Sequence, residues 1–342
     1  MFKRKLFVAA MTVSPLIVTA VANPWPEKVR EIEYKSSADG SMQKAMFYAP
    51  QGKKKLPLVV ALHTWSADYT QPNTVPAKWA IKKDWVFIHP NFRGPNWTLQ
   101  GMGSELAVQD IIDAVEYAKS QADIDTDRIY LIGGSGGGYA TLLMAGRAPQ
   151  IWAACSAWCP ISDLKKWHDE CRKAKRGYYE HIEKSAGGNP QKDQKAADEC
   201  VKRSANTYLA NAKDIPVDIS TGIHDGHSGS VPVSHALEAF NVLANPADRI
   251  SDEDIKYFVE KEAVPPHLAM KEKEIIPTTG KVIHFRRVSG NVRVTIFEGG
   301  HDILPNPGLN WLEQQKKGQA PNWDTKINTK IKVSTSDTKV GK

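Results

Sequence analysis

Three residues, far apart in the chain, have the types and surroundings to carry out nucleophilic acyl transfer together. The first is Ser135, inside Gly133-Gly134-Ser135-Gly136-Gly137. The run from Arg128 to Ile132 before it reads as a strand, and the run from Gly137 to Gly146 after it reads as a helix. A strand that turns sharply into a helix strains the residue at the turn, so its neighbours must lack bulk. The turn lifts the hydroxyl clear of the sheet and aims the next N–H at the reaction centre. Other glycine-rich chemistries fit less well. A phosphate loop needs Gly-Lys-Ser/Thr after the glycines, where this chain has Gly138-Tyr139-Ala140. A dinucleotide fingerprint needs a glycine where Tyr139 stands and an acid at the end of the next strand, which here ends in Trp158 and Cys159. A structural glycine turn with an inert serine is the remaining alternative.

An activated serine of this kind needs an acid and then a histidine, each just past a strand. Asp225 follows the strand-like run Val217 to Ile223, and His301 follows Val292 to Phe297 through Glu298-Gly299-Gly300. In those roles His301 carries the Ser135 proton to the leaving group, while Asp225 holds the imidazole tautomer. Asp218, inside its strand, and Asp302, beside the base, are the competing acids. One oxyanion donor is expected from the Gly136 N–H. The other is expected from His63-Thr64-Trp65-Ser66, through the N–H of Thr64 or Trp65. Trp65 and Trp158 fall at carboxyl ends of strands, where each either holds a sugar or phenolic ring or packs at the rim. The turn His224-Asp225-Gly226-His227 crowds metal-ligand types together, yet only His301 complements them elsewhere. Its histidines are expected to orient the loop, with no metal and no cofactor.

Short apolar runs alternate with amphipathic ones, which predicts a mostly parallel sheet with covering helices on both faces. Glu31 to Tyr34 and Gln43 to Tyr48 form a hairpin around Ala38-Asp39-Gly40 in this reading. Leu56 to Leu62 is apolar throughout, as in a strand buried on both faces. Trp85 to Ile88 and Ile151 to Trp158 are further strands. Ser104 caps a helix reaching Ala118, and helices are also expected over Val233 to Leu243 and near Leu309 to Gln315. Two polar stretches interrupt the alternation: Asp163 to Asp214, after the sixth core strand, and Pro246 to Thr279.

The formal charge of +7 loses its first meaning once located. Met1 to Ala22 combines Lys3, Arg4 and Lys5 with an apolar run and the ending Ala20-Val21-Ala22, the anatomy of a secretory signal peptide. An uncleaved anchor is the competing reading. Residues 325–342 carry five lysines and one acid and read as a mobile basic tail. Residues 23–324, expected to form a single catalytic domain, then hold 37 basic and 37 acidic residues. A neutral body without a basic aromatic stripe argues against nucleic acid as partner. No membrane association is expected after signal cleavage. The composition, 41% hydrophobic and 24% charged, excludes disorder, collagen and coiled coil as the main class. Export permits disulfides, and Cys171 with Cys200 flanks a polar stretch that a bridge would tie down. Cys155 sits in an apolar run and reads as a buried thiol.

With Ser135, Asp225 and His301 so arranged, the chain resembles an α/β-hydrolase. More closely it resembles the catalytic domain of the prolyl oligopeptidase family. Gly133 to Thr141 is similar to that family's Gly-Gly-Ser-Tyr-Gly-Gly-Tyr-Ala elbow. Gly222 to Pro232, ending in Ser230-Val231-Pro232, is similar to its acid loop, and Gly299-Gly300-His301 to its histidine loop. The departures are Gly136 in place of tyrosine, Thr64-Trp65-Ser66 in place of Gly-Gly-Pro, and two extra residues between Asp225 and Val231. The family's peptidases carry a large β-propeller before this domain, and the stretch from Ala22 to the first core strand leaves no room for one. Without that filter the resemblance implies an exported serine esterase, acting on a small-molecule or polysaccharide ester with a carbohydrate or aromatic acid. A compact peptidase is the alternative, and a catalytically dead binding protein on the same scaffold a second one.

Overall fold

The computed structural model describes residues 24–52, 55–276 and 278–324. The signal peptide and basic tail expected from sequence lie outside them. Among the described residues, no helix is long and apolar enough to cross a membrane.

Six parallel strands form the centre of a ten-stranded sheet. In spatial order they are β4 (Val86–Pro90), β3 (Leu56–Leu62), β5 (Ile124–Gly134), β6 (Ala154–Trp158), β7 (Val217–Gly222) and β10 (Val292–Phe297). All but β5 are buried at every residue, because helices cover both faces of the sheet. Side chains along β3 alternate between two cores: Leu58, Val60 and Leu62 join one, Val59 and Ala61 the other. Helices α1 (Thr74–Lys83) and α9 (Pro305–Leu312) pack together on the second face. Helices α2 (Glu105–Gln121), α3 (Gly136–Arg147) and α7 (Ser234–Leu243) cover the first. Ser104 caps α2 as its type suggests, accepting the Ala107 N–H at 3.2 Å.

Antiparallel strands close both edges. The expected hairpin of β1 (Arg30–Lys35) and β2 (Met42–Tyr48) pairs onto β4, and β9 (Lys281–Ser289) with β8 (Glu274–Ile276) extends from β10. The chain leaves β3 for β4 on one side and returns as β5 on the other. The carboxyl ends of β3 and β5 therefore flank a topological switch point, where open α/β sheets place their ligand crevice.

The polar stretch after β6 is not the loose excursion its composition suggests. It forms α4 (Leu164–Lys173), α5 (Tyr178–Ala186) and α6 (Gln194–Arg203), with Leu164, Trp167, Cys171, Ile182, Ala196 and Cys200 buried in the core. Hydrogen bonds fasten it to the body: Tyr139 Oη to Arg203 O at 2.7 Å, Trp167 Nε1 to Ser230 O at 2.9 Å and Ser185 Oγ to Asn96 O at 2.9 Å. The expected Cys171–Cys200 disulfide is absent, and both are free buried thiols. Burial pushes each thiol up to about 12. A segment with its own apolar seam needs no covalent staple, so the two cysteines serve as small core residues. The second polar stretch contains α8 (Asp252–Lys261), capped by Ser251, which accepts the Asp254 N–H at 3.1 Å.

Candidate active site

Ser135 stands alone between the last residue of β5 and the first of α3, with φ 57° and ψ −122°. A side chain at positive φ is strained by about 1–3 kcal/mol and persists only where its surroundings hold it. Here the Ser135 N–H donates to Trp158 O at 2.8 Å, and Ser135 O accepts the Tyr139 N–H at 2.8 Å. Bulk is excluded nearby. A Cβ at Gly134 would lie 2.4 Å from the Ile303 side chain, and one at Gly136 would lie 2.4 Å from both N and Cα of Trp65. The tyrosine usual at position 136 in the family that the elbow resembles therefore has no room here, because the loop after β3 lies directly on the turn.

The two candidate oxyanion donors of this loop differ in their surroundings. The Thr64 N–H is already engaged, donating to Gln71 Oε1 at 2.9 Å, while Gln71 Nε2 donates back to Thr64 Oγ1 at 3.0 Å. Among the described residues, the N–H groups of Trp65 and Gly136 have no acceptor. Asn96 holds the other side of this loop, donating to Trp65 O through its backbone at 2.9 Å and its side chain at 3.2 Å. Two free N–H groups on adjoining backbones are the type of donor pair that a developing oxyanion needs. We expect Gly136→Ala to push the Trp65 backbone away and lower kcat by roughly 10²–10³-fold. Steady-state kinetics checks this, with KM expected to change far less.

His301 and Asp225 meet as the strand ends place them. His301 Nδ1 lies 2.7 Å from Asp225 Oδ2, with the carboxylate fully enclosed and the imidazole 22% exposed. Thr221 Oγ1 also donates to Oδ2 at 3.3 Å, and the Gly226 and Val231 N–H groups donate to Oδ1 at 3.0 and 3.1 Å. The two extra residues of the acid loop thus fold around the carboxylate, and a Cβ at Gly229 would sit 2.2 Å from Oδ1. The competing acids are committed elsewhere. Asp218 pairs with buried Arg293 at 2.8 Å, and Asp302 accepts from Lys281 and the Gly300 N–H, each at 3.1 Å. His301 Nε2 has no hydrogen-bond partner among the described residues. No hydrogen bond joins Ser135 Oγ to that nitrogen among the described residues, and such catalytic bonds often tighten only when substrate binds.

Both tryptophans expected to offer stacking faces are only 2% exposed. Trp65 packs edge-on against Trp167, with ring centroids 4.7 Å apart. The Trp158 Nε1–H donates to Ser156 Oγ at 3.0 Å. Its ring borders a cavity of about 150 Å³ on the α1 and α9 side, along with Thr64, Gln71, Ile303 and Pro305. Backbone is what these residues bring to the turn: the Trp65 N–H and the Trp158 carbonyl. An aromatic row does extend outward from Trp65, through Trp167 to half-buried Tyr178, His181 and Trp97. His224 and His227 are engaged with partners other than His301. His224 lies between Glu262 at 2.7 Å and Glu298 at 3.2 Å, and His227 Nε2 lies 2.7 Å from Val259 O, so both tie the acid loop to α8 and the base loop. Sequence reading missed Gln71 and Thr221, whose polar types are common and whose contacts arise only on folding. It also missed Cys159, whose sulfur lies beside the Asp225–His301 pair.

A mostly parallel sheet, a strained serine between strand and helix, and an Asp–His pair past two later strands define an α/β-hydrolase. The family profile described as prolyl oligopeptidase family matches residues 76–282, and the chain belongs to that family. The match contains Ser135 and Asp225, and His301 lies beyond its end. Solved structures share the fold at low identity. An acylaminoacyl peptidase in complex with Z-Gly-Gly-Phe-chloromethyl ketone is 18% identical, with TM-score 0.57 over 87% of this chain and 43% of its own. The uncomplexed Pyrococcus horikoshii acylaminoacyl peptidase is 18% identical, with TM-score 0.59 and the same coverage. Oligopeptidase B from Leishmania major is 12% identical, with TM-score 0.51 over 63% of this chain and 30% of its own. The chain thus spans less than half the length of these relatives.

Proposed function

We propose that this chain is a serine peptidase that cleaves short or blocked peptides through an acyl-enzyme on Ser135. Ser135 Oγ attacks the carbonyl carbon while His301 Nε2 takes its proton. The resulting oxyanion is held by the N–H groups of Trp65 and Gly136. His301 then passes the proton to the leaving amine, and water releases the acyl group by the same steps in reverse. Asp225 keeps the Nδ1–H tautomer in place and offsets the imidazolium charge.

The observation that carries this reading is the 2.7 Å His301–Asp225 contact, set past the carboxyl ends of the central strands together with a strained serine and two free N–H groups. Two considerations move amides ahead of the esters expected from sequence. The aromatic faces that motivated a sugar or phenolic ester are enclosed. The named structural relatives are peptidases, one of them bound to a blocked peptide ketone. The aromatic row ending at Tyr178 and Trp97 supports an apolar or aromatic side chain on the acyl side. A panel of N-blocked aminoacyl p-nitroanilides beside p-nitrophenyl and feruloyl esters tests this. Amide cleavage that disappears in Ser135→Ala is expected. Turnover of esters alone would restore the ester reading.

A further inference from the structure

Cys159 is a cysteine for which the proposed reaction has no use, yet it sits at the reaction's centre. It follows β6 directly, with φ 46°, and its N–H donates to Ser220 O at 2.7 Å. The side chain is fully buried and free, with Sγ 3.4 Å from the Asp302 carbonyl. One sulfur of Cys159, one carboxylate oxygen of Asp225 and one ring nitrogen of His301 all lie within 4.8 Å of one another. Thiolate, carboxylate and imidazole are the ligand types of zinc and its thiophilic neighbours. Around a tetrahedral ion such atoms stand about 3.5 Å apart, so the set needs only a small rearrangement about a common centre, with the His301–Asp225 pair opening from 2.7 Å.

We propose that Cys159, Asp225 and His301 form an inhibitory site for a thiophilic divalent cation such as Zn²⁺. The charges suit a buried site, since one thiolate and one carboxylate neutralise a doubly positive ion. The ring nitrogen facing the buried pair is Nδ1, already 2.7 Å from Asp225 Oδ2, and the ion replaces the proton between them. That proton moves to the other side of the ring, so His301 remains neutral as its Nε2–H tautomer. The thiol loses its proton to solvent, and one proton is released per ion bound. A histidine protonated at Nε2 has no lone pair for the Ser135 proton, and hydrolysis stops. The ion is therefore an inhibitor of the proposed reaction, not its cofactor.

The inhibitory half of the proposal rests on the proposed role of His301, whereas metal binding does not, and the test keeps them apart. Chelator-treated protein is titrated with Co²⁺ and Cd²⁺ while near-ultraviolet sulfur-to-metal absorbance is recorded. Zn²⁺ is titrated in parallel against hydrolysis and against labelling by a fluorophosphonate. We expect a thiolate band in the wild type and in Cys171→Ala, lost in Cys159→Ala. In Cys159→Ala the zinc needed for half-inhibition is expected to rise at least about tenfold, since even indirect ligand partners are worth that much. Cys159→Ser, which keeps the size of the side chain, is expected to lose the band and the sensitivity in the same way and keeps the test open if Cys159→Ala fails to fold. A thiolate band that survives in Cys159→Ala, or zinc inhibition unchanged by that substitution, would overturn the proposal. A band without inhibition would leave the metal site standing and count against His301 as the base.

Discussion

Ser135→Ala is expected to lower kcat/KM by roughly 10⁴–10⁶-fold while leaving the fold intact. The size follows from how the parts act together: without the hydroxyl, His301 has no proton to take and Asp225 no imidazolium to stabilise. What survives is oxyanion stabilisation and binding, so some rate above that in water remains. Folding is expected to be unaffected for a structural reason. No hydrogen bond of the Ser135 hydroxyl is part of the described structure, and the bonds that hold the turn are backbone bonds to Trp158 and Tyr139. Alanine meets the same strain at φ 57° as serine does. Thermal unfolding of the variant beside the wild type checks the second half, and the kinetics check the first.

Asp225→Asn is expected to cost about 10⁴-fold in kcat with KM changed far less. Asparagine keeps the size of the side chain, and its carbonyl oxygen can still accept from the Gly226 and Val231 N–H groups. Its amide N–H₂ then faces His301 Nδ1, which must become an acceptor, so the ring proton moves to Nε2. The base is disabled by tautomer rather than by loss of position. Asp302→Asn serves as the control. That carboxylate is tied to Lys281 and the Gly300 N–H, and its loss is expected to cost far less activity.

How far the sequence could be read follows from where each signal resides. β3 and β10 were legible to the residue because both are buried throughout, and continuous apolar runs declare themselves. The elbow was legible because several glycines around one serine have few other uses. β9 was missed because its buried residues Ile283 and Phe285 alternate with His284, Arg286 and Arg287, so it merges with the polar insert before it. α1 was missed because only Pro76, Ala77 and Ala80 of its ten residues are buried. The disulfide expectation overlooked a pattern that was present: Leu164, Trp167, His168 and Cys171 recur at helical spacing and mark one buried face. The choice between Thr64 and Trp65 had no local signal at all. It depends on Gln71 reaching back across its own loop and on Gly136 touching Trp65, contacts that only the folded chain creates.

The central claim is that Ser135 is a nucleophile activated by His301 and Asp225. Intact-mass and peptide-mapping analysis after brief exposure to a fluorophosphonate tests it most directly, because the reagent reports nucleophilicity whatever the natural substrate. One adduct on the peptide holding Ser135 is expected, absent from Ser135→Ala and formed far more slowly in Asp225→Asn. An unmodified wild-type protein, or an adduct on any residue other than Ser135, would contradict the account.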